Sequence, residues 1–271
     1  MAAGGTTRKC VALVTGGGSG IGRAAAVRFA ELGYTCAVAD RDLPSARQTV
    51  DLLKTPGLAV QVDVGNSASV QAMIQTTVEH FGQLDCAFNN AGIEGTARAK
   101  IADYPEDQFD SVINVNLKGV WLCMKYEIAQ MLKQERIVSD PKKWAGKPDL
   151  CRFQGQRGSI VNTSSTAGLG LMPEFAPYCA TKWAIIGLTK TVAAEYAKEG
   201  IRVNAVCPAT TDTPMRDRFE AQWPDWQAKT DASYPAGRVA TPEEVAEAVT
   251  WLCSDACPFA TGEYLKIAGG R

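Results

Sequence analysis

Histidine is almost missing from this chain: His80 is the only one in 271 residues. If the protein moves protons at neutral pH, another side chain must do so. An excess of charge is missing too. The formal net charge of −1 gives no electrostatic reason to expect a nucleic acid or an anionic membrane as partner. No run approaches the roughly 18 apolar residues that would span a bilayer, and the N-terminus, MAAGGTTRKC, lacks an apolar signal core. These absences predict a soluble, cytoplasmic protein. Nine cysteines are present but scattered and never as CxxC, so metal ligation is poorly supported and no metal is expected. Cys253 and Cys257 share one face of a predicted helix and read as small buried side chains. His80 closes the helical segment VQAMIQTTVEHF, where a cation suits the helix C-terminus.

What is present is alternation. Short apolar runs at 10–15, 34–40, 58–64, 84–90, 159–164, 201–207 and 262–267 are separated by amphipathic stretches at 20–32, 43–54, 67–81, 105–133, 176–198 and 242–253. That pattern predicts an α/β fold, a doubly wound seven-stranded parallel sheet with helices on both faces. With 46% hydrophobic residues, residues 1–271 are expected to form one domain. Two stretches interrupt the alternation. Residues 134–157 have no apolar period and read as an exposed insertion, placed at the sheet edge opposite the C-terminal strand ends. Residues 208–237 are long for a connection, carry several aromatic residues and read as a substrate lid.

The first strand runs into TGGGSGIGR. A glycine cluster that opens a helix suits a phosphate, because bare backbone lets an anion reach unpaired N–H groups. A P-loop is excluded, since Arg23 stands where its lysine belongs. The strict G-x-G-x-x-G spacing is not met either: Gly16 is followed after three residues by Gly20, and after one more by Gly22. Asp40 ends the second strand, where an acidic side chain can accept from both hydroxyls of an adenosine ribose and would repel a 2′-phosphate. The expected cofactor is NAD.

TGGGSGIG, NNAG at 89–92, NVNLKG at 114–119, Ser165 thirteen residues before Tyr178, and YCATK at 178–182 stand in an order and spacing that together resemble the short-chain dehydrogenase/reductase family, in its single-domain branch. The resemblance implies a Rossmann-type fold and a catalytic set of Asn116, Ser165, Tyr178 and Lys182. It implies cofactor contacts from Gly16, Ser19, Gly20, Ile21, Gly22, Asp40, Asp63, Val64, Asn90, Ala91, Gly92, Tyr178, Lys182, Pro208, Thr211 and Thr213. Within that set, Asp63 would meet the adenine amino group, Thr213 the nicotinamide carboxamide and Lys182 the nicotinamide ribose. Ser165 would bond the substrate oxygen, and Asn116 would hold a water that relays the proton through Lys182. A homotetramer or homodimer is also implied, through the helices near 105–133 and 176–198.

Tyr178 and Lys182 are four residues apart on one helix and face the same way. An ordinary tyrosine, with a pKa near ~10, is a poor base at neutral pH; a neighbouring ammonium and a cationic nicotinamide are expected to lower it. Tyr178 then replaces the missing histidines as general acid/base. Ser164 reads instead as a turn residue bonded to backbone. Two departures from the family pattern stand out: Pro208-Ala209 where Pro-Gly is usual, so Ala209 would be strained if the turn needs positive φ, and IAGG where VDGG is common.

The expected activity is interconversion of a secondary alcohol and a ketone. Leu169, Leu171, Met172, Phe175, Met215, Phe219, Trp223, Trp226 and Tyr234 suggest a medium-sized, largely apolar substrate, with a cyclic one among the candidates; Arg216 and Arg218 could meet a carboxylate but are expected to face water. The alternatives are an NADPH-dependent 3-oxoacyl thioester reductase, a cofactor-binding lyase or isomerase, and a non-catalytic scaffold on the same fold.

Overall fold

The computed structural model describes residues 9–96, 98–137, 155–222 and 230–271. Its strands are β1 (Val11–Thr15), β2 (Thr35–Asp40), β3 (Gly57–Gln61), β4 (Cys86–Asn89), β5 (Gly158–Thr163), β6 (Ile201–Pro208) and β7 (Tyr264–Ile267). All pair in parallel, in the order β3-β2-β1-β4-β5-β6-β7. The strand order reverses between β1 and β4, which opens a crevice beyond their C-terminal ends.

β1, VALVT, is buried throughout, as a strand covered on both faces must be. Its alternate side chains feed two cores. Leu13 joins a layer with Val70, Met73, Leu122, Met124 and Ile185, beneath α3 (Ser67–Phe81), α5 (Gly119–Met131) and α6 (Ala176–Tyr196). Ala12 and Val14 face Ala25, Phe29, Val245 and Val249 on the other side, beneath α1 (Gly20–Glu31) and α8 (Pro242–Cys253). α8 starts as its TPEE sequence predicts: Thr241 and Glu244 form a reciprocal capping box, with Pro242 in the first turn.

Several boundaries differ from expectation. α2 (Leu43–Val50) stops before 54, and β3 ends at Gln61, leaving Asp63 in the loop beyond it. The stretch 105–133 is not one uniform helix: α4 (Glu106–Val112) and α5 flank a π-helical segment, Ile113–Lys118. Asn116 sits on that wider turn, a distortion frequent at functional sites. His80 lies in the last turn of α3, edge-on to Phe81. Cys257 lies past the end of α8 rather than on it, yet it and Cys253 are both buried thiols.

Residues 138–154 of the expected insertion lie outside the described residues. Its flanks are joined by an antiparallel Ile137–Gln156 bridge. Arg157 pairs with Glu199 at 3.1 Å, next to the start of β6, so the flanks sit at the N-terminal ends of the strands, away from the crevice. Among the described residues no helix is long and apolar enough to cross a membrane, and no cluster of three or more metal-ligating side chains occurs.

Candidate active site

One cleft at the crevice is lined by Gly16, Ser19, Gly20, Ile21, Asp40, Asp63, Val64, Asn90, Ala91, Gly92, Ser165, Tyr178, Lys182, Pro208, Thr211 and Thr213. Sequence reasoning named all of these; the cleft gathers them from the C-terminal ends of six strands. Gly22 and Asn116 stand just behind it.

The glycine turn is shaped to come close to something. Gly16 and Gly20 hold φ of +63° and +51°, a region that L side chains rarely adopt. A Cβ on Gly22 would fall 2.0 Å from the Gly16 carbonyl oxygen, and one on Gly16 2.9 Å from the Ala91 Cα. The turn is tied down from behind. The Asn90 side chain donates to the Gly16 carbonyl at 3.2 Å, and the Thr15 hydroxyl accepts from the Asn90 and Ala91 N–H groups. Ser19, at the α1 N-cap, makes no side-chain cap, so the first turn of α1 presents its N–H groups to the cleft. Asp40 accepts from the Gly18 N–H at 2.9 Å and the Asp42 N–H at 3.0 Å, which fixes its carboxylate at the end of β2. Arg41 lines the cleft beside it. This cradle fits a dinucleotide: backbone donors where a pyrophosphate would lie, then a held carboxylate where a ribose would lie.

At the other end, Lys182 is 5% exposed. Its Nζ donates to the Thr163 carbonyl at 2.9 Å and lies 5.4 Å from the Tyr178 ring centre. The Ser165 hydroxyl lies near the Tyr178 phenol, accepts from the Ala167 N–H at 3.1 Å and donates to the Pro208 carbonyl at 3.4 Å. The Ser164 hydroxyl turns away and donates to the Lys182 carbonyl at 2.7 Å, the backbone-bonded part expected of it. The tyrosine's acidity does not follow expectation. Burial pushes the Tyr178 phenol up to about 12, only partly offset by the Ser165 hydrogen bond, and the same desolvation pulls the Lys182 ammonium down to about 8. Burial is the largest cause, and the negative charge of Glu94 adds to it.

Asn116 is fully buried. Its carboxamide accepts from the Ile93 N–H and donates to the Ile93 carbonyl, both at 2.8 Å. That side chain clamps the loop after β4, so a water held by it would have to share these bonds.

The substrate end is only partly as expected. Met172, Phe175, Met215 and Phe219 line the cleft, and the Phe175 and Phe219 rings lie 5.7 Å apart. Leu169 and Leu171 do not line it, and Leu171 is 98% exposed. Tyr234 does not line the cleft: it is buried, and its hydroxyl accepts from the Thr210 N–H and donates to the Thr210 hydroxyl, both at 3.0 Å. Trp223 and Trp226 lie outside the described residues. Only one of the two arginines faces water: Arg218 is half exposed, whereas Arg216 is buried. Arg216, on α7 (Pro214–Gln222), is buried against Glu220 at 2.5 Å, Asp212 at 3.4 Å and Asp231 at 3.5 Å. Arg218 makes a two-pronged pair with Glu94 at 2.6 and 3.0 Å. Glu94 escaped sequence reasoning because a single acid after NNAGI carries no periodic signal; its partner lies 124 residues away. Ala209 is not strained: the only non-glycine residues with positive φ among those described are Arg98 and Glu174, and the Ala209 N–H bonds the Ile267 carbonyl at 2.9 Å.

Fold and cleft together define a nicotinamide-dependent oxidoreductase of the Rossmann type, and comparison with known proteins agrees. Residues 10–139 match the family described as short chain dehydrogenase, and residues 147–271 the one described as enoyl-(acyl carrier protein) reductase. A Streptomyces virginiae A-factor type gamma-butyrolactone 1′-reductase is 39% identical over 263 residues, covering 96% of this chain and 94% of its own. A Sphingobium indicum 2,5-dichloro-2,5-cyclohexadiene-1,4-diol dehydrogenase is 36% identical, covering 95% of both chains. The crystal structure of a Brucella melitensis 3-ketoacyl-(acyl-carrier-protein) reductase complexed with NADH superposes with a TM-score of 0.83 at 32% identity, over 97% of this chain and 98% of that one. The chain belongs to the short-chain dehydrogenase/reductase family.

Proposed function

We propose that the protein is an NAD-dependent oxidoreductase that interconverts a secondary alcohol and a ketone on a medium-sized, largely apolar substrate. One observation carries this reading: Ser165, Tyr178 and Lys182 stand side by side at one end of a cleft whose other end is the glycine turn above Asp40. In the oxidative direction Tyr178 takes the hydroxyl proton of the substrate while the carbinol C–H leaves as hydride, which gives a ketone, a reduced cofactor and one proton. Ser165 holds the substrate oxygen against the Tyr178 hydroxyl. When bound, oxidised NAD supplies the hydride acceptor and a positive ring charge that favours the phenolate. Lys182, drawn down to about 8, exchanges its proton close to neutral pH and can pass on the one that Tyr178 collects. Asn116 acts from behind by fixing Ile93. Met172, Phe175, Met215 and Phe219 present the apolar surface that the substrate would meet.

NAD is preferred over NADP because the Asp40 carboxylate, held by two backbone N–H groups, stands where a 2′-phosphate would sit. Titration of both dinucleotides by intrinsic fluorescence, followed by a screen of secondary alcohols at the reduced-nicotinamide band, tests the reading. NAD is expected to bind more tightly and at least one alcohol to reduce it. Tight NADP binding without NAD binding defeats the Asp40 argument, and NAD binding without any turnover defeats the alcohol–ketone reading. The likeness to the Brucella reductase supports a second reading, a 3-oxoacyl thioester reductase; oxidation of NADH or NADPH by acetoacetyl-CoA, faster than by any simple ketone, would favour it. For assembly we propose a homodimer or homotetramer, supported by Phe109, Trp121 and Trp183 exposed on α4, α5 and α6.

A further inference from the structure

The outer wall of the cleft carries an ion pair that neither the cofactor end nor the Ser165–Tyr178–Lys182 group employs. Glu94 follows Ile93, whose N–H and carbonyl are both gripped by Asn116, so Glu94 leaves a fixed support. Arg218 approaches from α7 on the lid. Its Nε donates to one carboxylate oxygen at 2.6 Å and its Nη2 to the other at 3.0 Å, the fork-to-fork arrangement in which Arg and carboxylate hold one another most firmly. Both residues line the same cleft as Tyr178, Met172, Phe175 and Phe219.

We infer that Glu94 is a specificity-determining residue: paired with Arg218, it closes the substrate end with a net-neutral, hydrogen-bonding wall that admits an uncharged substrate bearing a second hydroxyl and turns away one bearing a carboxylate. The inference rests on the alcohol–ketone reading above. A carboxylate offers about four lone-pair sites, and Arg218 engages one on each oxygen, so a substrate hydroxyl can still donate to Glu94. A substrate carboxylate meets two unfavourable choices. If the pair stays intact, it faces the Glu94 oxygens as a like charge. If it captures Arg218, Glu94 keeps an unpaired charge at a site only 18% exposed. Arg218 by itself, 54% exposed, would mark an anion site; Glu94 reverses that preference. The charge of Glu94 already reaches Tyr178, where it adds to the upward shift of the phenol. A second anion would oppose the phenolate further.

The test compares kcat/KM for matched secondary alcohols, cyclic and linear, in three classes: unsubstituted, with a second hydroxyl, and with a carboxylate. Wild type, Glu94→Gln and Arg218→Gln are compared, and fluorescence titration with NADH establishes that each variant is folded. Wild type should favour the diol over the carboxylate by about tenfold or more. Glu94→Gln frees the Arg218 cation and should raise the carboxylate-to-diol ratio about tenfold or more; Arg218→Gln should lower it. A brace with a purely structural part would change all three classes together and leave the ratios flat. Flat ratios, or a wild-type preference for the carboxylate class, overturn the inference while the alcohol–ketone reading stands. Turnover of none of the three classes overturns both.

Discussion

The two ends of the cleft are built differently. At the proposed dinucleotide end, the cleft is built from backbone and short side chains: Gly16 and Gly22 have no room for a Cβ, Gly20 holds a positive φ, and Thr15, Asn90 and Asp40 fix the turn through bonds to main-chain groups. At the substrate end, long side chains pair across distance: Arg216 with Glu220 and Asp231, Arg218 with Glu94. A backbone cradle can hold only one shape, which suits a constant cofactor. Paired long side chains can be exchanged without moving the strands beneath, which suits a variable substrate. Tyr178, the proposed general acid/base, lines the cleft together with both.

The sharpest way to test that division is at its centre. Tyr178→Phe should reduce turnover by about 10²–10⁴ and leave NADH affinity, read by fluorescence titration, nearly as in wild type; a comparable loss of affinity would mean that the tyrosine serves the cradle as much as the chemistry. At the dinucleotide end, Gly22→Ala places a methyl against the Gly16 carbonyl. It should weaken NADH binding more than tenfold and lower stability by about 1–3 kcal/mol in urea unfolding, because the nearest atoms are main chain, which cannot swing aside as a side chain could. At the substrate end, Arg216→Met removes the one cation shared by Asp212, Glu220 and Asp231. KM for the alcohol should rise about tenfold while NADH affinity changes little. Equal loss of both would show that the two ends are one unit.

The last effect touches neither binding nor turnover and concerns the scaffold beneath both ends. Glu127 on α5 is fully buried, accepts from the Asn89 side chain at 3.0 Å and lies near Cys123; Asn89 in turn donates to Asn162 at 3.1 Å. Burial raises the Glu127 carboxyl to about 8, so the folded protein holds a proton there that the unfolded chain releases at ordinary carboxylate pH. Its contribution to stability is present below the unfolded value near ~4.3 and is lost as pH rises to about 8. Melting temperature should therefore fall between about pH 5 and 8, and Glu127→Gln should flatten that fall.

Much of the dinucleotide end was legible in the sequence. Glycine spacing, Asp40 at a strand end and the Tyr178–Lys182 interval each express a local requirement: a positive φ, the end of a run, one helical turn. The same locality makes Ser164 and Ser165 distinguishable by counting. What failed was whatever depended on neighbours far along the chain. Arg216 was expected in water although Asp212 and Glu220 stand four residues to either side of it; what depended on distant chain was its contact with Asp231 and the pairing of the half-exposed Arg218 with Glu94. Tyr234 looked like a wall of the substrate site, but its hydroxyl is turned to Thr210. The acidity of Tyr178 was expected to fall because a lysine is four residues away, yet burial by the whole fold outweighs that neighbour.

By itself, then, the sequence determined the strand and helix alternation, the glycine turn and the identity of the side chains at the cleft, since these follow from periodicity and backbone freedom over a few residues. The tertiary structure alone decided the sheet order that places β1 beside β4, the burial that sets the protonation of Tyr178, Lys182 and Glu127, and the pairing of Glu94 with Arg218. Desolvation and long-range ion pairing are properties of which surfaces come together, and no short stretch of the chain contains that information.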